Sequence, residues 1–221
     1  MPYTILIPVH NEASCIPKLL SELEVYYKEG HQILIVDDGS NDESQNLLKD
    51  SSFIDLIRLE KKSGKGYAIR KGLSMTKNNK IITFDGDLEI HPSEIKRLMV
   101  LEDYGEIKCV FGSRYEIITP LSSIWNFGNF FFTSLFNLFS QTQCTDALCG
   151  AKAFYKDDIE INKLSANRFD IDIELAISLA KKLKKIKTIY LSYDRRSENE
   201  GKKLRFSDGW TILKKILKYN F

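Results

Sequence analysis

Acidic residues are concentrated in three short segments within the first ninety residues. Segment 8–12 ends in Asn-Glu, segment 37–42 reads Asp-Asp-Gly-Ser-Asn-Asp, and segment 85–89 reads Asp-Gly-Asp-Leu-Glu. Each follows a short apolar run, so a parallel sheet would bring all three to one edge. Neighbouring carboxylates repel each other unless a positive charge lies between them. A divalent cation would compensate, and oxygen ligands favour Mg²⁺ or Mn²⁺.

The third segment is the strongest candidate for a metal site. Asp85 and Asp87 flank Gly86, so both carboxylates could turn toward one ion, and Glu89 could supply a third oxygen. The alternative is a purely structural turn, because Asp and Gly are common in turns. The two other acidic segments shift the balance toward a metal, and we predict Asp85, Asp87 and Glu89 as its ligands.

Basic residues also follow predicted strands. Residues 63–66 read Ser-Gly-Lys-Gly at a predicted helix start, where Lys65 and the helix dipole could bind a phosphate. Arg114 follows a strand, and Arg196 and Lys202 follow the last strand. Arginine suits bidentate phosphate contacts. The alternatives are a helix cap with an incidental lysine, and surface salt bridges.

The elements that must position these residues follow an alternating pattern. Apolar runs at 3–9, 32–36, 54–59 and 80–84 predict strands, and the periodicity at 15–28, 42–50 and 65–76 predicts helices. Strand–helix alternation indicates a mostly parallel sheet with helices on both faces, and ligands bind beyond the carboxyl ends of such strands. The later pattern predicts strands at 107–113, 151–155 and 186–193, and helices at 124–139, 172–183 and 207–219.

Length and composition limit the class of protein. The 221 residues suit one domain, and a hydrophobic fraction of 43% with 28% charged residues is typical of globular proteins. A net charge of +2 gives no reason to expect nucleic acid. The four cysteines form no CxxC pair, so reduced thiols are expected. We expect no signal peptide. We also expect no membrane-spanning segment, because no run reaches about 18 apolar residues.

The ordered set of motifs resembles the inverting GT-A glycosyltransferases of family 2. It comprises Pro-x-x-Asn-Glu at 8–12, Asp-Asp-Gly-Ser-x-Asp at 37–42, Gly-Lys-Gly at 64–66, Asp-x-Asp at 85–87 and Gly-Ser-Arg at 112–114. Residues 146–150 and 193–209 extend the resemblance toward the polyprenyl- or dolichyl-phosphate mannose and glucose synthases. The resemblance covers the chain from Tyr3 to Phe221. It implies a single GT-A domain with a nucleotide-sugar-binding half at 1–115, an acceptor-binding half at 116–221 and C-terminal interfacial helices.

The resemblance also implies roles for individual residues. Arg114 and Arg196 would lie near donor or acceptor phosphates. Lys65, Gly86 and Lys202 would lie near the nucleotide sugar, and Asp85, Asp87 and Glu89 would hold the metal that bridges the diphosphate. The base and ribose would contact Pro8, Asn11, Glu12, Asp37 and Asp38. Catalytic roles are expected for Asp87, Arg114, Asp146 and Arg196. One departure is that segment 121–139 contains neither Arg nor Lys, although the lipid-phosphate synthases carry a basic residue there.

The expected reaction is an inverting transfer from a UDP- or GDP-linked sugar to a membrane-held acceptor such as polyprenyl phosphate. A hydroxyl acceptor would need a general base, for which Asp146 and the cluster Asp170, Asp172 and Glu174 are candidates. The alternatives are transfer to a saccharide or protein hydroxyl, a nucleotidyltransferase, which the Gly-free segment 8–12 disfavours, and a non-catalytic nucleotide-sugar-binding module.

The aromatic segment 124–139 and the lysine-rich helix 207–219 suggest contact with an anionic membrane surface. The expected location is therefore cytoplasmic, on the inner face of the membrane. Packing of both helices on the core is the alternative, and a homo-oligomer or a membrane partner subunit stays open.

Overall fold

The computed structural model describes residues 1–117, 119–183, 185–195 and 206–218. Seven strands form one sheet: β1 (Tyr3–Val9), β2 (Gln32–Asp37), β3 (Asp55–Arg58), β4 (Lys80–Thr83), β5 (Cys109–Ser113), β6 (Lys152–Tyr155) and β7 (Lys187–Tyr190). Their order is β3-β2-β1-β4-β6-β5-β7, and β6 alone among them runs antiparallel to its neighbours. The predicted mostly parallel sheet is confirmed, with one reversed strand inserted.

Helices cover both faces of the sheet, as predicted: α1 (Ile16–Lys28), α2 (Ser44–Lys49), α3 (Lys65–Ser74), α4 (Ile95–Leu98), α5 (Ile124–Ser140), α6 (Ile171–Lys182) and α7 (Phe206–Lys218). Side chains alternate between the two faces of β1. Ile5 and Ile7 pack with α1, α2 and α4, whereas Leu6 packs with α3 and α6 on the other face. The core is therefore two apolar layers on either side of the sheet.

The predicted boundaries differ from the observed ones mainly at chain turns. The strand predicted at 186–193 spans Lys187–Tyr190, and the helix predicted at 42–50 spans Ser44–Lys49. Asp42 lies before that helix and accepts a hydrogen bond from the amide of Ser44 at 3.0 Å. Helix α4 was not predicted, because four residues are too few to show a helical period.

The two helices predicted to be interfacial are anchored to the core on one side. In α5, Phe136 is fully buried, whereas Ile124, Phe127 and Leu138 are more than half exposed. In α7, Ile212 and Ile216 are buried, and α7 packs against α5 and α6. Within the described residues, no helix combines the length and the apolar character needed to cross a bilayer.

Buried ion pairs also fix α7. The ammonium of Lys215 donates to the carboxylate of Glu174, which is fully buried. The guanidinium of Arg168 contacts Asp208 at 2.9 Å, and Asp208 is almost fully buried. Of the lysines of this helix, Lys215 is therefore not available to an anionic membrane surface, because it is paired with the buried carboxylate of Glu174.

Candidate active site

A cavity of about 490 Å³ opens beyond the carboxyl ends of β1, β4 and β5, where the strand order predicts a ligand. Its wall includes seven of the polar residues that the sequence singled out: Glu12, Lys65, Asp85, Asp87, Glu89, Arg114 and Asp172. Helices α5 and α7 form an apolar wall of the same cavity. Polar and apolar groups therefore share one space.

The acidic segment after β4 is bent by local backbone geometry. Leu88 adopts a left-handed conformation with φ 63°, and the amide of Glu89 donates to Asp87 Oδ1 at 3.1 Å. Glu89 Oε2 accepts a hydrogen bond from the Tyr193 hydroxyl at 3.1 Å. Gly86 is packed so tightly that a Cβ atom there would lie 2.7 Å from Val9 Cγ1. The segment is thus a fixed turn, with Asp85 and Asp87 on the cavity wall.

Lys65 connects this turn to helix α6. Its Nζ lies 2.7 Å from Asp85 Oδ1 and 2.8 Å from Asp172 Oδ2. Burial alone would lower the pKa of Lys65, but the two carboxylates outweigh burial and raise it, so the side chain stays charged. Burial raises the pKa of Asp172, and Lys65 opposes that shift. The partnership with Asp172 was not predicted, although Asp172 was named as a candidate base.

The start of α3 is less open than a phosphate site requires. The amides of Gly66 and Tyr67 donate to the carbonyl of Asn167 at 3.0 and 3.4 Å, so these two N–H groups already have an acceptor. Gly64 has φ +101°, and a Cβ atom there would lie 2.1 Å from the same carbonyl oxygen. Glycine is needed here for close backbone contact. The geometry therefore differs from the predicted phosphate cradle, and the Lys65 side chain alone carries the proposed role.

Asp38 anchors the turn that precedes α3. Its two carboxylate oxygens accept hydrogen bonds from the amides of Ser63 at 2.6 Å and Gly64 at 2.8 Å. Asp37 is buried, and its Oδ1 accepts from the amide of Ser40 at 2.9 Å. Among the described residues of the cavity wall, neither of these aspartates is found. Their contact with a nucleotide stays a prediction, and the structure gives both a role in shaping loops.

The first turn is tied to the second by its asparagine. Asn11 Nδ2 donates to Asn41 Oδ1 at 2.8 Å, and the amide of Asn41 donates to Asn11 Oδ1 at 2.9 Å. Asn11 has φ 52°, a conformation that asparagine tolerates. Pro8 lies in β1 beyond the pairing with β4, which ends at Leu6, so its missing N–H breaks no bond to that strand. Glu12, next in the chain, reaches the cavity.

Arg114 is held by a buried carboxylate. Its Nε lies 2.8 Å from Asp146 Oδ2 and its Nη2 lies 3.0 Å from Asp146 Oδ1. Asn129 of α5 donates to Asp146 Oδ1 at 3.0 Å. Burial would raise the pKa of Asp146, but the charge and hydrogen bonds of Arg114 outweigh it and keep the pKa below its usual value. Asp146 has no solvent exposure. Its geometry fits an anchor for Arg114, in contrast to the general base considered from the sequence.

A second arginine, Arg195, reaches the cavity, whereas the residue predicted from the sequence was its neighbour Arg196. Arg195 Nη2 donates to Asn126 Oδ1 at 3.2 Å, and Arg195 lines the cavity together with Tyr193. Arg195 belongs to the same post-strand run as Arg196, so the run was found but the residue was not. Arg196 and Lys202 lie outside the described residues. Segment 121–139 contains no basic residue, and Arg195 brings a positive charge to its first turn.

Cys149 also lines the cavity, but it is not an available nucleophile. Burial raises the pKa of Cys149 to about 12, so the thiol is protonated at neutral pH. All four cysteines are free and buried.

The oxygen atoms of Asp85 and Asp87 suit a hard divalent cation. The described part of the chain contains no group of three or more His, Cys, Asp or Glu side chains arranged to hold a metal. Glu89 Oε2 accepts a hydrogen bond from the Tyr193 hydroxyl, and a ligand role of Glu89 beside Asp85 and Asp87 stays a prediction. Mg²⁺ commonly binds one or two carboxylates together with substrate phosphates and water. Two carboxylates beside a cavity fit a cation that is shared with a diphosphate.

Comparison with known proteins agrees with this fold and site. Residues 4–175 match glycosyl transferase family 2. The chain belongs to this family of glycosyltransferases, and its fold is the GT-A fold.

Two relatives illustrate its place in the family. The undecaprenyl-phosphate 4-deoxy-4-formamido-L-arabinose transferase of Enterobacter sp. (strain 638) is 37% identical over 111 residues, which are 46% of this chain and 34% of that protein. The matched part thus spans about a third of the length of such transferases. An uncharacterized protein of Methanocaldococcus jannaschii is 32% identical over 206 residues, 87% of this chain and 88% of that protein.

Solved structures show the same fold. Glucosyl-3-phosphoglycerate synthase of Mycobacterium tuberculosis has a TM-score of 0.76 and 18% identity, covering 98% of this chain and 80% of that one. The same enzyme in complex with Mn²⁺, uridine diphosphate and glucosyl-3-phosphoglycerate has a TM-score of 0.70 and 16% identity, covering 98% and 79%.

Proposed function

We propose that this glycosyltransferase moves a sugar from a UDP- or GDP-linked donor to a lipid phosphate, with a divalent cation at Asp85 and Asp87. The observation that carries the proposal is the composition of the cavity. Carboxylates and basic groups lie at the sheet edge, and the aromatic side chains of α5 and α7 line the rest. A sugar diphosphate suits the charged region at the sheet edge. A phosphate attached to a hydrocarbon chain suits the charged and the aromatic regions together.

The relatives support the acceptor. Two relatives are named as undecaprenyl-phosphate transferases, and the apolar wall here includes Trp125, Phe127, Phe131 and Trp210. The donor and the metal are supported by the complexes of the structural neighbour with Mn²⁺ and UDP-glucose. Burying apolar surface of the lipid against this wall would contribute roughly 25 cal/mol per Å².

The chemistry follows from the groups on the cavity wall. The acceptor phosphate oxygen attacks the anomeric carbon, a new C–O bond forms with inversion, and the nucleoside diphosphate leaves with the electron pair of the broken bond. A bound divalent cation would supply positive charge against the departing diphosphate. Arg114 and Lys65 are positioned to stabilise negative charge in the same space. A phosphate acceptor is already anionic, so the full engagement of Asp146 by Arg114 and Asn129 is no obstacle.

Transfer of radiolabel tests the proposal. Purified protein is incubated with UDP- or GDP-linked sugars, undecaprenyl phosphate and Mn²⁺, and label is counted in the organic phase. We expect lipid-linked label with one donor, its loss with EDTA, and its loss in Asp87→Asn. If neither EDTA nor Asp87→Asn changes transfer activity or donor affinity, the proposed metal site is wrong.

A soluble acceptor is the second candidate function. The structural neighbour was crystallised with phosphoglyceric acid, a small anionic acceptor that carries a hydroxyl group. Parallel reactions with phosphoglyceric acid and with a simple saccharide separate the two candidates, because a water-soluble labelled product would replace the lipid-linked one.

A further inference from the structure

The ammonium of Lys65 is shared between two carboxylates that differ in exposure. Asp85 has a side chain that is 36% exposed and faces the cavity, whereas the Asp172 side chain is 7% exposed. The Lys65 Nζ lies 2.7 Å from Asp85 and 2.8 Å from Asp172, so the two carboxylates are equally close to it. Within the described part of the chain, the ammonium that pairs with Asp85 is thus also held by Asp172 of α6.

The second oxygen of Asp172 is available to the same ammonium. Asp172 Oδ1 is buried and has no hydrogen-bond partner among the described residues. A buried acceptor in this condition is costly, and a second contact from Lys65 would satisfy it. The backbone of Gly150 packs beside both groups, because a Cβ atom there would lie 2.8 Å from Nζ and 2.3 Å from Asp85 Oδ2. Movement of Lys65 toward the unpaired oxygen of Asp172 would free Asp85.

We propose that Asp172 is a positioning residue that draws the Lys65 ammonium away from Asp85 and so sets how tightly Asp85 and Asp87 bind a divalent cation. This inference rests on the proposed function, because it needs the cation site at those two aspartates. Lys65 acts as an internal counter-ion of Asp85 that a cation must displace, and Asp172 is the group that receives it.

The proposal predicts opposite effects from two substitutions. Lys65→Met removes the competing ammonium, so Mn²⁺ should bind about tenfold more tightly. Asp172→Asn leaves Lys65 with Asp85 as its one anionic partner in the bridge, so Mn²⁺ should bind about tenfold more weakly. A purely structural role would weaken Mn²⁺ binding in both variants.

The double variant separates action through Lys65 from a direct effect of charge. If Asp172 acts through Lys65, Asp172→Asn should change the Mn²⁺ affinity less than about twofold in the Lys65→Met background. A direct electrostatic effect of Asp172 on the cation would persist there undiminished.

Free Mn²⁺ is measured by electron paramagnetic resonance in titrations of each full-length variant, with and without UDP. Glu174→Gln and Lys215→Met are matched controls, because this pair joins the same helix α6 to α7 and does not line the cavity. Neither control should change the Mn²⁺ affinity, and circular dichroism verifies that every variant is folded.

The outcomes distinguish the positioning role of Asp172 from the proposed metal site itself. Opposite shifts that vanish in the double variant support the positioning role. Shifts in the same direction, no shift, or additive shifts overturn it, while loss of Mn²⁺ binding in Asp87→Asn would still leave the proposed metal site standing. No Mn²⁺ binding by any variant, with or without UDP, overturns both.

Discussion

A buried carboxylate holds Arg114 in a fixed orientation at the edge of the cavity. Asp146 accepts from the arginine side chain through both oxygens, and the arginine lies between the rings of Tyr115 and Tyr193 at 5.8 and 5.7 Å. Such an arrangement fixes the planar fork before any substrate arrives. Preorganised charge of this kind stabilises a transition state without reorganisation.

Replacing Arg114 by lysine should be costly although the charge is kept. Lysine cannot make the paired contact, so Asp146 loses part of its hydrogen bonding in a buried position. We expect the free energy of unfolding to fall by about 1–3 kcal/mol. Transfer activity should fall at least about tenfold, about 1.4 kcal/mol in the barrier.

Chemical denaturation and radiolabel transfer measure these two effects separately. Asn129→Ala, which removes one hydrogen bond to Asp146 and leaves the arginine, should cost less in both measurements. Wild-type stability and turnover in Arg114→Lys would contradict the anchoring role of Asp146.

The sequence predicted which residues belong to the site better than it predicted their contacts with each other. Asp85, Lys65, Arg114 and Asp146 were all predicted to belong to the site. Lys65 and Asp172, however, are 107 positions apart in the chain. Such a contact depends on how α6 is laid across the sheet, which a local motif does not specify.

At the scale of elements, the loop between α5 and β6 closes the site. Residues 146–150 carry Asp146 at one end and Gly150 at the other, and Lys152 holds the loop by donating from its buried ammonium to the carbonyls of Ala147 and Cys149. The loop packs against the Asp85 carboxylate through Gly150. Its position therefore determines the room left around the proposed cation.

A methyl group at Gly150 should damage the cation site more than the fold. In Gly150→Ala the new Cβ would lie 2.3 Å from Asp85 Oδ2, so the carboxylate must move. We expect Mn²⁺ affinity to fall at least about tenfold, while the free energy of unfolding changes by about 1–3 kcal/mol. Manganese titration and thermal unfolding measure the two quantities.

Gly128→Ala is the control for adding a methyl group. A Cβ atom at Gly128 in α5 would meet nothing within 4 Å, so thermal stability should stay unchanged or rise. Unchanged Mn²⁺ affinity in Gly150→Ala would mean that the crowding around Asp85 has no bearing on the cation.

The elements themselves were largely predictable, because strands β1 to β4 coincide with short apolar runs and the helices between them have a helical period. The antiparallel insertion of β6 between β4 and β5 was not predicted, since strand direction depends on the connection through α5 and not on strand composition. Helix α7 was predicted, but its inward lysine was not, because Glu174 lies in a different helix.

On the scale of the whole molecule, one side of the protein presents unusual apolar exposure. Ile117 and Leu121 precede α5 and are 83% and 95% exposed, and Phe130 of α5 is 42% exposed. Helix α7 adds exposed Lys214 and Lys218. Surface apolar groups beside a cavity with an apolar wall suit a membrane surface that delivers a lipid acceptor.

Liposome flotation tests this association, which we expect with anionic vesicles at low salt and not at high salt. Lys214→Gln with Lys218→Gln should weaken binding by about 2 kcal/mol, because each lysine near an anionic surface contributes about 1 kcal/mol. Leu121→Ser with Phe130→Ser should weaken binding by a factor that changes little between low and intermediate salt, since the lost contribution is apolar and is not screened.

A matched control lies on the opposite face of the sheet. Val25 of α1 is 50% exposed, and α1 packs on the layer that excludes α5 and α7, so Val25→Ser should float like the wild type. Lys215→Gln should lower the free energy of unfolding while it has little effect on membrane binding, because that lysine is paired with Glu174. Protein that stays wholly in the soluble fraction with anionic vesicles at low salt would contradict the membrane association. It would also favour a soluble acceptor, because a lipid phosphate must be reached at the surface of the bilayer that holds it.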